Sequence, residues 1–292
     1  MLDRRLSMDT TRLTAREIGL GDVALLHELT VSVGWPHRRR DLAFLIEHGR
    51  GYVGCDEIGR AIGAALWVPM GPDHAQLGMS LTVPRFEARR GWRWLWDRNR
   101  DEAAGRTLMC NAMWNRVPVY EDEGFRRVGK VHQFQGRAAM PGPLPAPPAG
   151  EELRLGGLAD LADIRRLDRA ALDCDRSAIL AAALERWDLR VIARKGTITG
   201  FAICRPFGRG HVIGPIVAGD DAGAIALAAP FVAEHAGDFL RVDSARTAGE
   251  FAAFLAGCGL RVAGEAEQMR LGPDARTDPA AISYALMSQA LG

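Results

Sequence analysis

The chain has 292 residues, of which 48% are hydrophobic and 25% charged, and its formal net charge is +1. That is the make-up of an ordinary soluble globular chain with apolar material for two modest cores, and its charge balance argues against a dedicated nucleic-acid binder. Five scattered cysteines with no C-x-x-C pair give neither a disulfide framework nor a zinc pattern, no apolar run is long enough to span a membrane, and Met1 to Arg5 lacks the apolar core of a signal peptide.

A reduced cytoplasm is therefore the expected setting, with no metal and no membrane partner. Leu13 to Ile18 alternates apolar with polar and reads as a first strand. Gly21-Asp22 opens a helix, with Asp22 as N-cap and Val23, Leu25, Leu26 and Leu29 on its buried face. Gly34-Trp35-Pro36-His37 breaks that pattern, and Leu42, Phe44, Leu45 and Ile46 mark a second helix. Gly51 to Cys55, a turn at Asp56 to Gly59, and Arg60 to Val68 form a hairpin.

The next strand, Leu77 to Val83, stops at Pro84, which cannot donate a ladder hydrogen bond. An Arg-rich loop follows and leads into a helix through Ala104, with six arginines between Arg85 and Arg100. A strand–loop–helix junction aims free N–H groups and the positive end of a helix dipole at one spot, so a compact anion is the ligand this segment predicts. Trp92, Trp94, Trp96 and Trp114 interleave with the basic residues. Spacing by two does not fit one helix face, so at least one of them should point outward.

Thr107 to Asn111 reads as a buried strand, and Pro118 to Glu123 as a short helix stopped by Gly124. Phe125 to Val131 and Gln133 to Arg137 read as a closing pair of strands. The run from Pro141 to Gly150 holds five prolines and forbids helix and sheet, giving an extended linker. The expected organisation is a first domain over 1–138, a linker over 139–151 and a second domain over 152–292.

The second half repeats the first: strand, two helices, hairpin, strand, helix, strand. The best local match sets Val119, Tyr120, Glu123, Gly124 and Phe125 against Phe254, Leu255, Cys258, Gly259 and Leu260. A period of about 135 residues is too long for a solenoid and means a duplicated domain. Glu265 to Leu271 is a late strand, and Asp278 to Leu291 reads as a short terminal helix.

This order of elements and these motifs resemble the GNAT superfamily of N-acetyltransferases, over nearly all of residues 11–137 and more weakly over 152–272. The tandem arrangement resembles bacterial GNAT proteins with an added C-terminal acetyltransferase-like domain. The resemblance implies an α/β fold of two GNAT-like domains, each a mixed, mostly antiparallel sheet flanked by helices. It implies acetyl-CoA as acetyl donor and an amine of a small molecule or peptide as acceptor. Leu81, Thr82 and Val83 would supply backbone groups that hold the pantetheine and polarise the acetyl carbonyl. Arg89, Arg90, Gly91 and Trp92 would lie along the pyrophosphate, and Asn111 would contact the cofactor arm. Tyr120 would protonate the departing thiolate, as a phenol with an ordinary pKa near 10 can do at neutral pH. The family's loop pattern is Gln/Arg-x-x-Gly-x-Gly/Ala, and the aligned residues Glu87, Arg90 and Trp92 all differ from it. A shift of one residue places Gly91 at the central glycine. For the amine's proton the candidates are Asp73, His74, His37, His211 or water.

In the second domain Leu255 stands where Tyr120 stands in the first, Asp243 stands for Asn111, and the segment Ala218 to Gly223 is acidic. That domain is expected not to transfer acetyl groups, and to shape the acceptor pocket or a homodimer interface. The expected activity is acetyl transfer to an amine by direct attack. The alternative is a silent GNAT-like protein that binds CoA or another ligand without turnover.

Overall fold

The computed structural model describes residues 5–8, 11–83, 91–140 and 142–292. Contacts group the chain into two compact units, the first ending at Cys110 and the second running Asn111–Ala290.

The first unit is a mixed sheet in the order β1 (Arg5–Met8), β2 (Thr11–Glu17), β3 (Arg50–Cys55), β4 (Ala61–Pro69), β5 (His74–Thr82) and β6 (Thr107–Ala112). Neighbours are antiparallel except β5 and β6, which are parallel. Helices α1 (Val23–Ser32), α2 (Arg39–His48) and α3 (Gly91–Glu102) flank it. The seating of α3 is written into the β3–β4 hairpin, where Gly54 and Gly63 are register partners. A methyl group at Gly54 would meet the Trp94 ring at 3.3 Å, and one at Gly63 would meet Thr82 Cγ2 at 2.6 Å and Leu95 Cδ1 at 3.3 Å. Two facing glycines thus let the helix settle on the sheet, with Leu95 and Trp96 buried.

The second unit's sheet runs β13 (Arg261–Leu271), β7 (Arg126–Arg137), β12 (Phe239–Ser244), β11 (Gly210–Ala218), β10 (Thr197–Phe207), β9 (Asp188–Arg194), β8 (Glu152–Leu155). Among the described residues of this sheet only β11 and β12 pair in parallel. Helices α4 (Val117–Asp122), α5 (Leu161–Leu172), α6 (Ser177–Leu184), α7 (Asp221–Glu234) and α8 (Glu250–Gly257) complete it. Its core gathers Leu227, Phe231, Val242, Phe251, Leu255 and Leu260.

Two expectations are corrected here. Residues 125–137 do not form a closing pair of strands. They form the single strand β7, which lies between β12 and β13, with Val242 opposite Phe134 and Ala266 opposite Val131. A strand's alternation tells which of its faces is buried, and says nothing about which sheet will receive it. The expected terminal helix is instead β14 (Ile282–Ala285), paired antiparallel with β11. Four residues that include β-branched Ile282 and aromatic Tyr284 suit a strand wherever a free sheet edge is on offer.

The duplication extends to a local device that the sequence reading missed. Asp22 does not cap α1 with its side chain. Its carboxylate accepts from Arg16 at 2.5 and 2.8 Å and from the Gly19 N–H at 2.9 Å. In the second unit Asp160 accepts from Arg154 at 2.7 and 3.0 Å and from the Gly157 N–H at 3.0 Å. The common spacing, Arg-x-x-Gly-x-x-Asp, was visible in the sequence as two matching triplets at the ends of the first strands.

Candidate functional site

In the first unit the geometry that matters is where a ladder stops. β5 and β6 are in register from His74–Thr107 to Leu77–Cys110. β5 then runs on along β4, with Met79 opposite Leu66, Leu81 opposite Ala64 and Thr82 opposite Gly63. The Val83 N–H donates to the Ile62 carbonyl at 2.8 Å. Backbone groups alternate sides along an antiparallel strand, so Leu81 and Val83 direct theirs to β4 and Thr82 directs its own the other way. Of the three backbone positions expected to face a ligand, Thr82 is the one with the outward-facing pair. The strand leads through 84–90 into the N-terminus of α3 at Gly91. Arg89 and Arg90, with Glu87, lie outside the described residues, as does the side chain of Trp92.

The aromatic and basic residues of α3 are engaged with one another. Trp96 is buried and flanked by the guanidinium groups of Arg93 and Arg100, at 5.3 and 5.1 Å. Arg98 is buried against Trp94 and Tyr52, at 5.4 and 5.5 Å. Arg93 and Arg100 also pair with Asp97. These cation–π and ionic contacts give the rings at 94 and 96 charged partners on their own helix. Among the described side chains of these tryptophans the exposed one is Trp114, 81% exposed, in the β6–α4 connection and not on α3.

Asn111 and Tyr120 belong to the second unit. Asn111 Nδ2 donates to the Gln289 carbonyl at 2.8 Å. Tyr120 is buried on α4, edge-on to Phe125 with ring centroids 5.3 Å apart. The Phe125 N–H returns to the Tyr120 carbonyl at 2.9 Å across Gly124, which sits at φ 86°. In the same way the Leu260 N–H returns to Leu255 at 3.0 Å across Gly259, at φ 84°. These are matching glycine-terminated helix ends, and the second one carries a buried leucine where the first carries the phenol.

Of the proposed bases, Asp73 is exposed, and its carbonyl accepts from the Thr107 N–H. The His74 carbonyl accepts from the Met70 N–H at 2.9 Å, His37 lies against Trp35, and His211 is stacked on His235 with centroids 3.8 Å apart. All five cysteines are buried and outside disulfides. Burial lifts the Cys174 and Cys258 thiols to about 11 and Cys204 to about 12, which removes them as nucleophiles at neutral pH. Among the described residues no cluster of His, Cys, Asp and Glu suits a metal, and no helix is long and apolar enough to cross a membrane.

The second unit has the same strand–helix junction, built differently. β11 and β12 are in register only at His211–Leu240 and Val212–Arg241. Beyond that point β14 takes the edge of β11, with Ile216 opposite Ala285 and Ala218 opposite Ile282. The Leu286 N–H continues across to the Asp243 carbonyl on β12 at 2.8 Å. At the start of α7, Asp220 accepts from the Gly223 N–H at 2.8 Å. Asp221 accepts from the Phe251 N–H at 3.0 Å and from the Tyr284 hydroxyl at 2.8 Å. Those bonds, led by the Phe251 N–H, hold the Asp221 carboxyl below the usual carboxylate range. Burial and the Asp221 bond push the Tyr284 phenol up.

Residues 164–285 match the family model of the acetyltransferase (GNAT) domain. No curated sequence matches the chain significantly. Among solved structures, a candidate acetyltransferase of Pyrococcus horikoshii superposes with TM-score 0.76 at 14% identity, covering 98% of each chain. A tandem GNAT protein from the clavulanic acid biosynthesis pathway superposes with TM-score 0.62 at 17% identity, over 90% of this chain and 99% of that one. A GCN5-related N-acetyltransferase of Sphaerobacter thermophilus gives TM-score 0.62 at 16% identity, over 91% and 98%. At such identities the likeness is one of fold, and that fold is the one the sequence led us to expect.

Proposed function

From a chain that carries a GNAT acetyltransferase domain over residues 164–285 and folds throughout like tandem GNAT proteins, we propose that the first half transfers an acetyl group from acetyl-CoA to an amine of a small molecule or peptide. The observation that carries this reading is the end of the β5–β6 ladder at Leu77–Cys110, with β5 continuing to Thr82 and on towards α3. An extended ligand can add to such an edge as a strand does, through main-chain hydrogen bonds. The N–H groups at the start of α3, with the arginines of 85–90 before them, suit the pyrophosphate.

The chemistry is addition followed by elimination. The amine nitrogen bonds to the thioester carbon as the carbonyl oxygen takes up negative charge, which backbone N–H groups at the end of β5 would stabilise. The C–S bond then breaks, the amine's surplus proton passes to solvent, and Tyr120 donates its phenolic proton to the departing thiolate. In this reading Arg89, Arg90, Gly91 and Trp92 would meet the phosphates and Asn111 the cofactor arm.

A second reading, binding without turnover, is favoured by the sequence of the loop, where Glu87, Arg90 and Trp92 replace the family's Gln/Arg, Gly and Gly/Ala. One experiment separates the two. The purified chain is incubated with acetyl-CoA and a panel of small and peptide amines, and free thiol is followed over time. Amine-dependent thiol release that collapses in Tyr120→Phe supports transfer. Saturable acetyl-CoA binding with no release across the panel supports the silent reading and overturns transfer.

A further inference from the structure

We propose that residues 282–292 are an internal ligand of the second unit, fixed in the opening of the β11–β12 ladder that corresponds to the end of the β5–β6 ladder in the first, so that the chain takes up one acyl-CoA and not two. The count of one rests on the reading given above; the seating of the segment does not.

Four observations converge. The β11–β12 ladder ends after two registered pairs, which would expose a length of parallel-sheet edge, and β14 with Leu286 bridges that opening from β11 to the Asp243 carbonyl on β12. The fit is specific to this segment, since a methyl group at Gly214 would lie 2.0 Å from the Leu286 carbonyl oxygen. The neighbouring helix N-terminus, the natural place for a phosphate, is already filled with the chain's own carboxylates, Asp220 on Gly223 and Asp221 on Phe251 and Tyr284. A phosphate there would meet two negative charges. Downstream of β14 the segment is held by buried cations. Arg205 donates to the Met287 carbonyl at 3.1 Å. Arg176, paired with Asp168 at 2.5 and 3.0 Å, donates to the Gly292 carbonyl. Tyr284, Met287 and Leu291 are buried. A strand so enclosed and so anchored is a built part of the sheet.

The same segment fixes Asn111 through the Gln289 carbonyl.

Hydrogen exchange and native mass spectrometry on the full chain test this together. In the free protein, amides of 282–287 should exchange as slowly as those of β10 and β11, at least about 10³-fold slower than an open chain. Adding acetyl-CoA should leave that protection unchanged, and native spectra should show at most one acetyl-CoA per chain. Gly214→Ala should speed exchange in 282–287 selectively. Fast exchange of 282–287 in the free protein, release of the segment on adding acetyl-CoA, or two acetyl-CoA per chain would each overturn the inference. Absence of any acetyl-CoA binding would sink the acetyl-transfer reading alone, because the exchange rates then still decide whether the segment is seated.

Discussion

The two halves of this chain begin from one plan and diverge at one place. In each, an antiparallel hairpin leads to a strand that starts parallel to the next and then parts from it, after Leu77 in β5 and after Val212 in β11. In each, that strand leads to a helix whose first N–H groups need partners. The first half puts an Arg-rich loop before the helix. The second puts Asp220 and Asp221 there, lays β14 along the freed edge, and replaces the tyrosine of the short helix with Leu255. The half that the GNAT family model matches, 164–285, is the half in which β14 lies along the β11 edge and Asp220 and Asp221 stand at the start of α7. Fold is retained by the core and the hairpins, whereas activity depends on a few edge and helix-end groups, and the two can separate.

The largest effect should come from the phenol. Tyr120→Phe is expected to lower kcat by about 10²-fold or more with little change in the KM for acetyl-CoA, since a proton donated to the leaving group acts in the transition state. Leu255→Tyr should restore nothing, because β14 already lies along the β11 edge. Activity gained from Leu255→Tyr alone would break the comparison.

Next is the anchor of the internal strand. Arg176→Ala leaves Asp168 buried without its cation, and should cost about 3–5 kcal/mol in chemical unfolding of the second unit. Gly214→Ala forces a methyl group against the Leu286 carbonyl, and should cost about 1–3 kcal/mol. Neither change touches β5 or α3, so acetyl-CoA binding by the folded protein is expected to survive both.

A smaller effect is the acid limb of stability. Asp22, Asp160 and Asp221 have carboxyls held below the ordinary range, the first two by Arg16 and Arg154 and the third by the Phe251 N–H. A depressed carboxyl contributes stability that is full above its unfolded value near 4 and is lost as pH falls through the folded value. Unfolding free energy should therefore drop below about pH 4. Asp221→Asn should reduce that drop for the second unit, where the Arg154–Asp160 contribution stays, and leave the Arg16–Asp22 contribution in the first. Both of those arginine pairs are partly exposed, so each should be worth well under 1 kcal/mol in moderate salt.

Most of this plan was legible in the sequence because it is written in short-range chemistry. The hairpins show as alternating runs around Gly59 and Gly196, the short helices as segments stopped by Gly124 and Gly259, and the parallel crossover as a strand that ends at a proline. The missed elements depend on long-range pairing. Nothing in Arg126 to Arg137 says that its neighbours will be β12 and β13. Nothing in Ile282 to Ala285 says that an edge of β11 awaits it. Of the expected site, the Leu81–Val83 strand and the matched Tyr120/Leu255 pair were readable. The sidedness of Thr82 was not, because it depends on which residue of the strand shares a hydrogen-bonded pair with Ile62. Nor was the use of Asn111 by the Gln289 carbonyl, across most of the sequence.

The central claim is that one half is open to acetyl-CoA and the other is closed by its own chain. The measurement that tests it most directly is a hydrogen-exchange footprint of acetyl-CoA on the full chain. New protection should fall on peptides covering 78–83 and the start of α3, and none on those covering 212–223 or 282–287. Protection gained at 212–223, with 78–83 unchanged, would contradict the account and place the donor in the half we describe as closed.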